Sequence, residues 1–230
     1  EKINYPALAL IVSGGHTELI LMEEAEKYQM LGATLDDAAG ECFDKVAKLL
    51  DLPYPGGPKI SELASTGNPD AINFPRPLIK EKNFNFSFAG LKTAALYWLR
   101  DNKLAANKIL PYNLPAGIYG QQINPPTTND YCASFEQAII DVLVSKTIHA
   151  AKQHKPKTVI LAGGVAANKK LRETLRIAIE DLKIEFRTPE IKYCMDNAAM
   201  IAVAGYCQAN KKDFTDWQNL KADPNWELGR

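Results

Sequence analysis

The sequence of 230 residues predicts an α/β fold on a mixed sheet. The first observation is a pair of apolar runs, Ala7 to Val12 and Thr17 to Met22, separated by Ser13-Gly14-Gly15-His16. Apolar runs of this length read as strands, and a Gly-Gly tip between them reads as a hairpin. The second is a further strand pattern around Tyr28 to Gly32, which makes three antiparallel strands in a row. The third is the later alternation of helical patterns with two more strands, Thr158 to Ala162 and Ile184 to Arg187. A meander followed by helix, strand, helix and strand mixes antiparallel with parallel neighbours.

The elements between follow in order. Thr34-Leu35-Asp36-Asp37 reads as a helix start with acids in its first turn. Ala39, Phe43, Val46 and Leu50 then recur on one helical face, while Glu41, Asp44, Lys45 and Lys48 fall mostly off that stripe. Pro53 to Pro58 ends the helix in a stiff, turn-rich loop, and a second helix is expected from Pro58 to Ala64. Asn73-Phe74-Pro75-Arg76-Pro77 reads as extended and irregular. Phe84-Asn85-Phe86-Ser87-Phe88 alternates like a strand, and Leu91 to Arg100 reads as a helix. Residues 101–130, rich in Asn, Gln and Pro, are expected to form a long surface loop with room for one short helix, not a domain boundary. A long amphipathic helix follows from Asp130 to His154, with Phe135, Ala138, Val142 and Ile148 near one face. Beyond Gly163-Gly164, Leu171, Leu175, Ala178 and Leu182 mark another helix. Asp196 to Asn210 is apolar and rich in small residues, so it is expected to pack closely on both sides. Residues 1–210 then form one lobe, and residues 211–230, with Phe214, Trp217 and Trp226, a C-terminal arm.

Composition narrows the classes. Lys and Arg number 27 against 27 Asp and Glu, so no global charge advertises nucleic acid and any RNA contact needs a local patch. Cys42, Cys132, Cys194 and Cys207 are far apart and form no CxxC pair, which points to a reducing compartment without disulfides. No run reaches transmembrane length and no signal peptide is visible, so a cytoplasmic protein is expected. The first residue is Glu1, shortly before a core strand, which suggests a piece of a longer protein.

By element order this is one lobe of the ribonuclease-H-like fold shared by actin, sugar kinases and heat-shock ATPases, an analogy that does not fix function. The Gly14-Gly15 tip suits nucleotide phosphates or hydroxyls, with Ser13 and Thr17 adding hydroxyls and His16 an imidazole. The same residues also read as an ordinary turn.

Specific motifs go further. Val12-Ser13-Gly14-Gly15-His16-Thr17, Asp36-Asp37-Ala38-Ala39-Gly40-Glu41 with Phe43-Asp44-Lys45, and Tyr54-Pro55-Gly56-Gly57-Pro58 closely resemble the TsaD family. So do Phe86-Ser87-Phe88-Ala89-Gly90-Leu91-Lys92-Thr93, Ala162-Gly163-Gly164-Val165-Ala166-Ala167-Asn168 and Asp196-Asn197-Ala198-Ala199-Met200-Ile201-Ala202. Members are tRNA N6-adenosine threonylcarbamoyltransferases, once mislabelled glycoproteases or O-sialoglycoprotein endopeptidases. The motifs run in family order to about Gly205. The family's N-terminal lobe, ending in a metal-binding His-x-x-x-His pair, is not in this sequence, which therefore looks like the C-terminal portion.

The resemblance implies a site. Ile11, Val12, Ser13, Gly14 and Gly15 would face substrate or nucleotide, threonylcarbamoyl-AMP or ATP/ADP. His16 would lie in that loop without being one of the two metal histidines. Asp44 would accept ribose hydroxyls, with Glu41 one turn earlier able to share that surface; alone, each reads as a solvated helix carboxylate. Gly57 would lie against the ligand. Asn168, which also reads as a helix cap, would contact it, and the turn Gly163-Gly164 before a helix suits phosphate. Asp196, otherwise a cap, would be the third protein ligand of a divalent metal, iron or zinc, shared with the missing histidines. Met195 stands where many members carry a small polar residue. No catalytic residue is assigned.

The implied reaction moves the threonylcarbamoyl group from threonylcarbamoyl-AMP to N6 of the adenosine just 3′ of the anticodon, in tRNAs reading codons that begin with A. Implied partners are tRNA, the synthase that supplies the adenylate, and proteins of the TsaB and TsaE types. Arg76, Lys80, Lys82 and Lys92 are candidates for tRNA contact, or a solvated lysine face. No Ser-His-Asp or Cys-His spacing suggests a covalent intermediate, and no HExxH a metalloprotease. The alternatives are a non-catalytic nucleotide-binding or scaffold module of the same fold, and a small-molecule kinase, for which no catalytic base stands out.

Overall fold

The computed structural model describes residues 3–102 and 126–222. Within them the chain runs β1 (Ala7–Val12), β2 (Thr17–Glu24), β3 (Lys27–Ala33), α1 (Ala39–Leu49), α2 (Gly56–Ala64), α3 (Ala89–Asp101), α4 (Thr128–His154), β4 (Thr158–Ala162), α5 (Lys169–Glu180), β5 (Glu185–Arg187) and α6 (Ala198–Asn210). The strands form one mixed sheet, as the sequence predicts, in the order β3-β2-β1-β4-β5. β1 pairs antiparallel with β2, which sets Val12 opposite Thr17, and parallel with β4, which sets Ile11 beside Ala162. The carboxyl ends of β1 and β4 therefore lie side by side. In open α/β sheets that is where ligands bind.

The core sits between the sheet and its helices. Leu8, Leu10 and Val12 leave β1 on one face and join Phe43 and Val46 of α1, Ile60 of α2, Leu91 of α3, Phe135 of α4 and Leu171 of α5 in one cluster. Edge-on aromatic pairs bind the helical layer: Phe43 with Phe135 at 5.6 Å and Phe74 with Tyr131 at 5.4 Å between ring centres. The Tyr131 hydroxyl donates to the Ala95 carbonyl at 3.1 Å, so the buried phenol is satisfied.

Several elements differ from the expectation. α1 starts at Ala39, not near Thr34, because Asp36 is claimed by another helix. The Asp36 carboxylate accepts from the N–H groups of Phe88 (2.7 Å) and Ala89 (3.1 Å) and from the Ser87 hydroxyl (2.5 Å), which caps α3 across the sequence. α1 is capped instead by buried Thr17, whose Oγ1 accepts from the Ala39 N–H at 2.9 Å. α2 starts two residues early, at Gly56. The run Phe84 to Phe88 forms a single bridge, Thr34 to Phe86, not a strand. Its alternation reflects burial of Phe86 and Phe88 without a ladder partner.

α4 is not amphipathic. Tyr131 to Glu136 are six consecutive buried residues, because α2 and α5 pack against it. It starts at Thr128, where Thr127 and Asp130 exchange cap hydrogen bonds. α6 is a helix as expected, but none of its described residues is buried; Ile201 is 72% and Tyr206 68% exposed. Phe214 and Trp217 are exposed beyond it. Trp226 and residues 103–125 of the expected surface loop lie outside the described residues. The four cysteines are free thiols, three of them buried. No helix among the described residues is long and apolar enough to cross a membrane.

Candidate functional site

The hairpin tip is built by its own serine. Ser13 Oγ accepts from the N–H groups of Gly15 (3.2 Å) and His16 (3.0 Å), and the Ser13 N–H donates to the His16 carbonyl at 2.8 Å. The N–H groups of Gly15 and His16 are thus already satisfied, and Ser13 keeps its hydroxyl proton. Thr17 is withdrawn from the tip, because it caps α1. His16 is exposed. A Cβ placed on Gly14 or Gly15 would meet nothing within 4 Å, so the outer side of the tip is open space.

From the tip a closed circuit of contacts runs through the remaining candidates. The Gly40 N–H donates to the Ser13 carbonyl at 3.1 Å, which seats the start of α1 on the hairpin. One turn on, Asp44 Oδ1 accepts from the Gly56 N–H at 2.8 Å and holds the start of α2. Gly57 lies over the Phe43 side chain, and Ser61 stands one turn further along the same face. Asn168 Nδ2 donates to Ser61 Oγ at 2.9 Å and to Glu136 Oε1 at 2.7 Å, while Asn168 Oδ1 caps α5 by accepting from the Leu171 N–H at 2.8 Å. The chain just before Asn168 returns to the start. Gly163, at φ +92°, lies so close to β1 that a Cβ would fall 2.3 Å from the Val12 carbonyl oxygen. A chain of contacts and helix turns therefore links Val12, Ser13, Asp44, Gly57 and Asn168, which are spread over most of the sequence, and Ile11 precedes Val12 on β1.

Some expected roles change. Asp44 has one oxygen committed to Gly56, which leaves Oδ2 open. Glu41, one turn before Asp44, is already engaged: it takes the Ala38 N–H at 3.4 Å and pairs with Lys45 at 2.8 Å. Gly163-Gly164 does not lead straight into an α-helix; a 3₁₀ turn, Gly164–Ala167, intervenes. Of the basic set, Arg76 pairs with Asp141 at 3.0 Å and Lys92 with Asp37 at 2.9 Å, so only Lys80 and Lys82 remain exposed without an ion pair among the described residues. Ser61, Glu136 and Arg172 are the contributors that sequence patterns missed. Arg172, one turn after Asn168, donates to the carbonyls of Ala166 and Pro189 (the latter at 2.7 Å) and to Cys194 Sγ at 2.9 Å. It thereby ties the turn before α5 to the segment leading to Asp196.

Asp196 is exposed and makes no hydrogen bond or ion pair among the described residues. Its neighbour Met195 reaches the circuit, with Sδ 3.2 Å from the Cβ position of Gly164. No group of three His, Cys, Asp or Glu residues able to hold a metal occurs among the described residues. One free carboxylate fits a metal only as a single member of a larger ligand set. A hollow of about 870 Å³ lies elsewhere, between residues 73–81, α4 and Thr174 of α5. Its charges balance, Arg76 and Lys80 against Glu81 and Asp141; two of the tRNA candidates line it, and none of the nucleotide or metal candidates does.

Comparison with known proteins completes the description. The sequence profile of TsaD, described as tRNA N6-adenosine threonylcarbamoyltransferase, matches residues 1–203. Proteins with that name from Geotalea uraniireducens (strain Rf4) and Geobacillus thermodenitrificans (strain NG80-2) are 51% and 45% identical to this chain. Each match covers 99% of the chain and 61% of the relative, so the chain spans about three fifths of the length of these curated relatives. The crystal structure of T. kodakarensis HypF superimposes with a TM-score of 0.51 at 18% identity, over 77% of this chain and 21% of that one. At that identity the likeness concerns the fold alone.

Proposed function

The chain belongs to the TsaD family, and from that premise we propose that it forms the nucleotide-binding portion of a tRNA N6-adenosine threonylcarbamoyltransferase. The observation that carries the reading is the closed circuit from Ser13 through Gly40, Asp44, Gly56, Ser61 and Asn168 back to Gly163 and Val12. It supports the reading because it links the motifs that the family resemblance assigns to the ligand and begins and ends where β1 and β4 run out side by side. The ligand is threonylcarbamoyl-AMP, or ATP/ADP in its place. The acceptor is the adenosine 3′ of the anticodon in tRNAs reading A-starting codons.

The chemistry asks for a held adenylate and a stabilised leaving group. N6 of adenosine is a poor nucleophile, because its lone pair is delocalised into the ring. It attacks the carbamoyl carbon, the bond from that carbon to the phosphate oxygen breaks, and AMP departs with the electron pair while the N6 proton passes to water. The open tip Ser13 to Gly15 takes phosphate. Two N–H donors on Ser13 Oγ polarise its hydroxyl, which then donates more strongly to an anionic oxygen. Asp44 Oδ2 accepts from ribose, and Gly57 leaves room for ribose or base. Asp196 joins a histidine pair from outside this chain to hold iron or zinc. When bound, that ion would supply positive charge for the phosphate of the leaving group. The adenylate comes from a separate synthase, TsaB- and TsaE-type proteins complete the assembly, and the site of action is the cytoplasm.

The test is nucleotide affinity, measured by calorimetry with ADP on the protein at its full natural length. Asp44→Ala should weaken binding by roughly 1–3 kcal/mol, the cost of losing a charged acceptor. Unchanged affinity would remove Asp44 from the ligand.

A further inference from the structure

Glu136 is a buried carboxylate, 3% exposed, on the helix that runs through the core. No cation pairs with it among the described residues. Its Oε1 takes two donors instead, the Ser61 hydroxyl at 2.6 Å and the Asn168 amide nitrogen at 2.7 Å. Ser61 Oγ in turn accepts from the same amide nitrogen at 2.9 Å. The three groups close a triangle between α4, α2 and the start of α5. A buried carboxylate without a partner is expensive, so this one is held only because both donors face it.

The triangle fixes more than burial. An asparagine amide presents a donor end and an acceptor end, and a flip exchanges them. Here the nitrogen is turned inward onto Glu136 and Ser61, and the oxygen meets the Leu171 N–H at 2.8 Å with one lone pair to spare. A flip would place the amide oxygen against the carboxylate and the amide nitrogen against an N–H, two repulsive contacts at once. Resting on the nucleotide reading above, we propose that Glu136 and Ser61 are positioning residues that lock Asn168 so that it meets the ligand as an acceptor. The group it recognises is then a donor, a ribose hydroxyl, and not a phosphate oxygen, which has no proton to give.

The experiment compares ADP with its 2′-deoxy and 3′-deoxy analogues in the protein at its full natural length. In an Asp44→Ala background, which removes that residue's own ribose contact, the protein should bind one deoxy analogue about tenfold more weakly than ADP, the worth of one hydrogen bond. Asn168→Ala and Glu136→Leu should each abolish that preference, and their double variant should lose no more than either single one. Glu136→Gln, which keeps an acceptor oxygen for both donors, should restore it. A structural role alone would lower ADP affinity without touching the preference. Should Glu136→Leu keep the preference while Asn168→Ala loses it, the lock is wrong and the nucleotide reading stands. Should Asn168→Ala leave ADP affinity unchanged, the nucleotide role of Asn168 is wrong. Ser61→Ala and NMR provide an arm independent of ligand and of the Leu variant's folding. The Asn168 side-chain amide protons should exchange slowly in wild type and at least tenfold faster in Ser61→Ala; fast exchange in wild type would overturn the lock.

Discussion

Gly163 and Gly14 both follow a strand, yet different needs keep them glycine. Gly163 sits at φ +92° against the Val12 carbonyl, where a side chain is both strained and crowded. Gly14 is flanked by open space. Gly163→Ala should therefore cost roughly 1–3 kcal/mol or more of stability, seen as a lower urea midpoint. Gly14→Ala should leave the midpoint within about 0.5 kcal/mol and weaken nucleotide binding. Equal losses of stability from the two would contradict this division. The sequence displayed both glycines equally, because composition records a missing side chain but not the space around it. For the same reason it singled out Asn168 and missed Glu136. Helical periodicity has no free face to read over Tyr131 to Glu136, where six consecutive residues are buried.

At the scale of elements, Asp37 clamps α1 to α3. Its carboxylate pairs with Lys45 at 2.7 Å and Lys92 at 2.9 Å, and its side chain is 13% exposed. Burial pushes its pKa up, but the two lysine hydrogen bonds and charges outweigh that and hold it below the ordinary 3.8. A depressed carboxylate contributes stability that is present above its unfolded value and lost as pH falls through its folded one. Wild-type stability should thus fall as pH drops from about 5 toward 3. Asp37→Asn should be less stable at pH 7 and lose part of that acid slope, read from denaturant midpoints across the range. An unaltered slope would place the acid-sensitive group elsewhere, with Asp130, also held low, as the next to test: burial raises its pKa, but the Asn68 and Thr127 hydrogen bonds prevail. The stripe Ala39, Phe43, Val46 and Leu50 was legible, since all four are buried at helical spacing. The start of α1 was not. Asp36 looks like a first-turn acid of the helix after it, and only the folded chain brings Phe88 and Ala89 to its carboxylate.

At the scale of the molecule, the metal provides the test. Asp196 stands free, and no set of three ligands exists among the described residues. After dialysis the 230-residue chain should retain far less than one equivalent of iron or zinc, measured by elemental analysis. Stoichiometric, tightly held metal would sink the shared site. α6 carries a related lesson. Its small and apolar residues announced close packing, yet the described residues leave it exposed on every turn, because a helix's composition states what it needs and not whether a partner is present. The sequence by itself determined the five strands of the sheet, though it added a false one at Phe84 to Phe88, together with the order of elements and the family resemblance, since these rest on local periodicity and on short motifs read in order. Only the tertiary structure decided which caps serve which helices, which lysines are already neutralised, and that a chain of contacts links Ser13, Asp44, Gly57 and Asn168. Those are contacts between residues far apart in the chain, fixed by how β1 and β4 pair and how α1, α2 and α4 pack, and no local pattern encodes them.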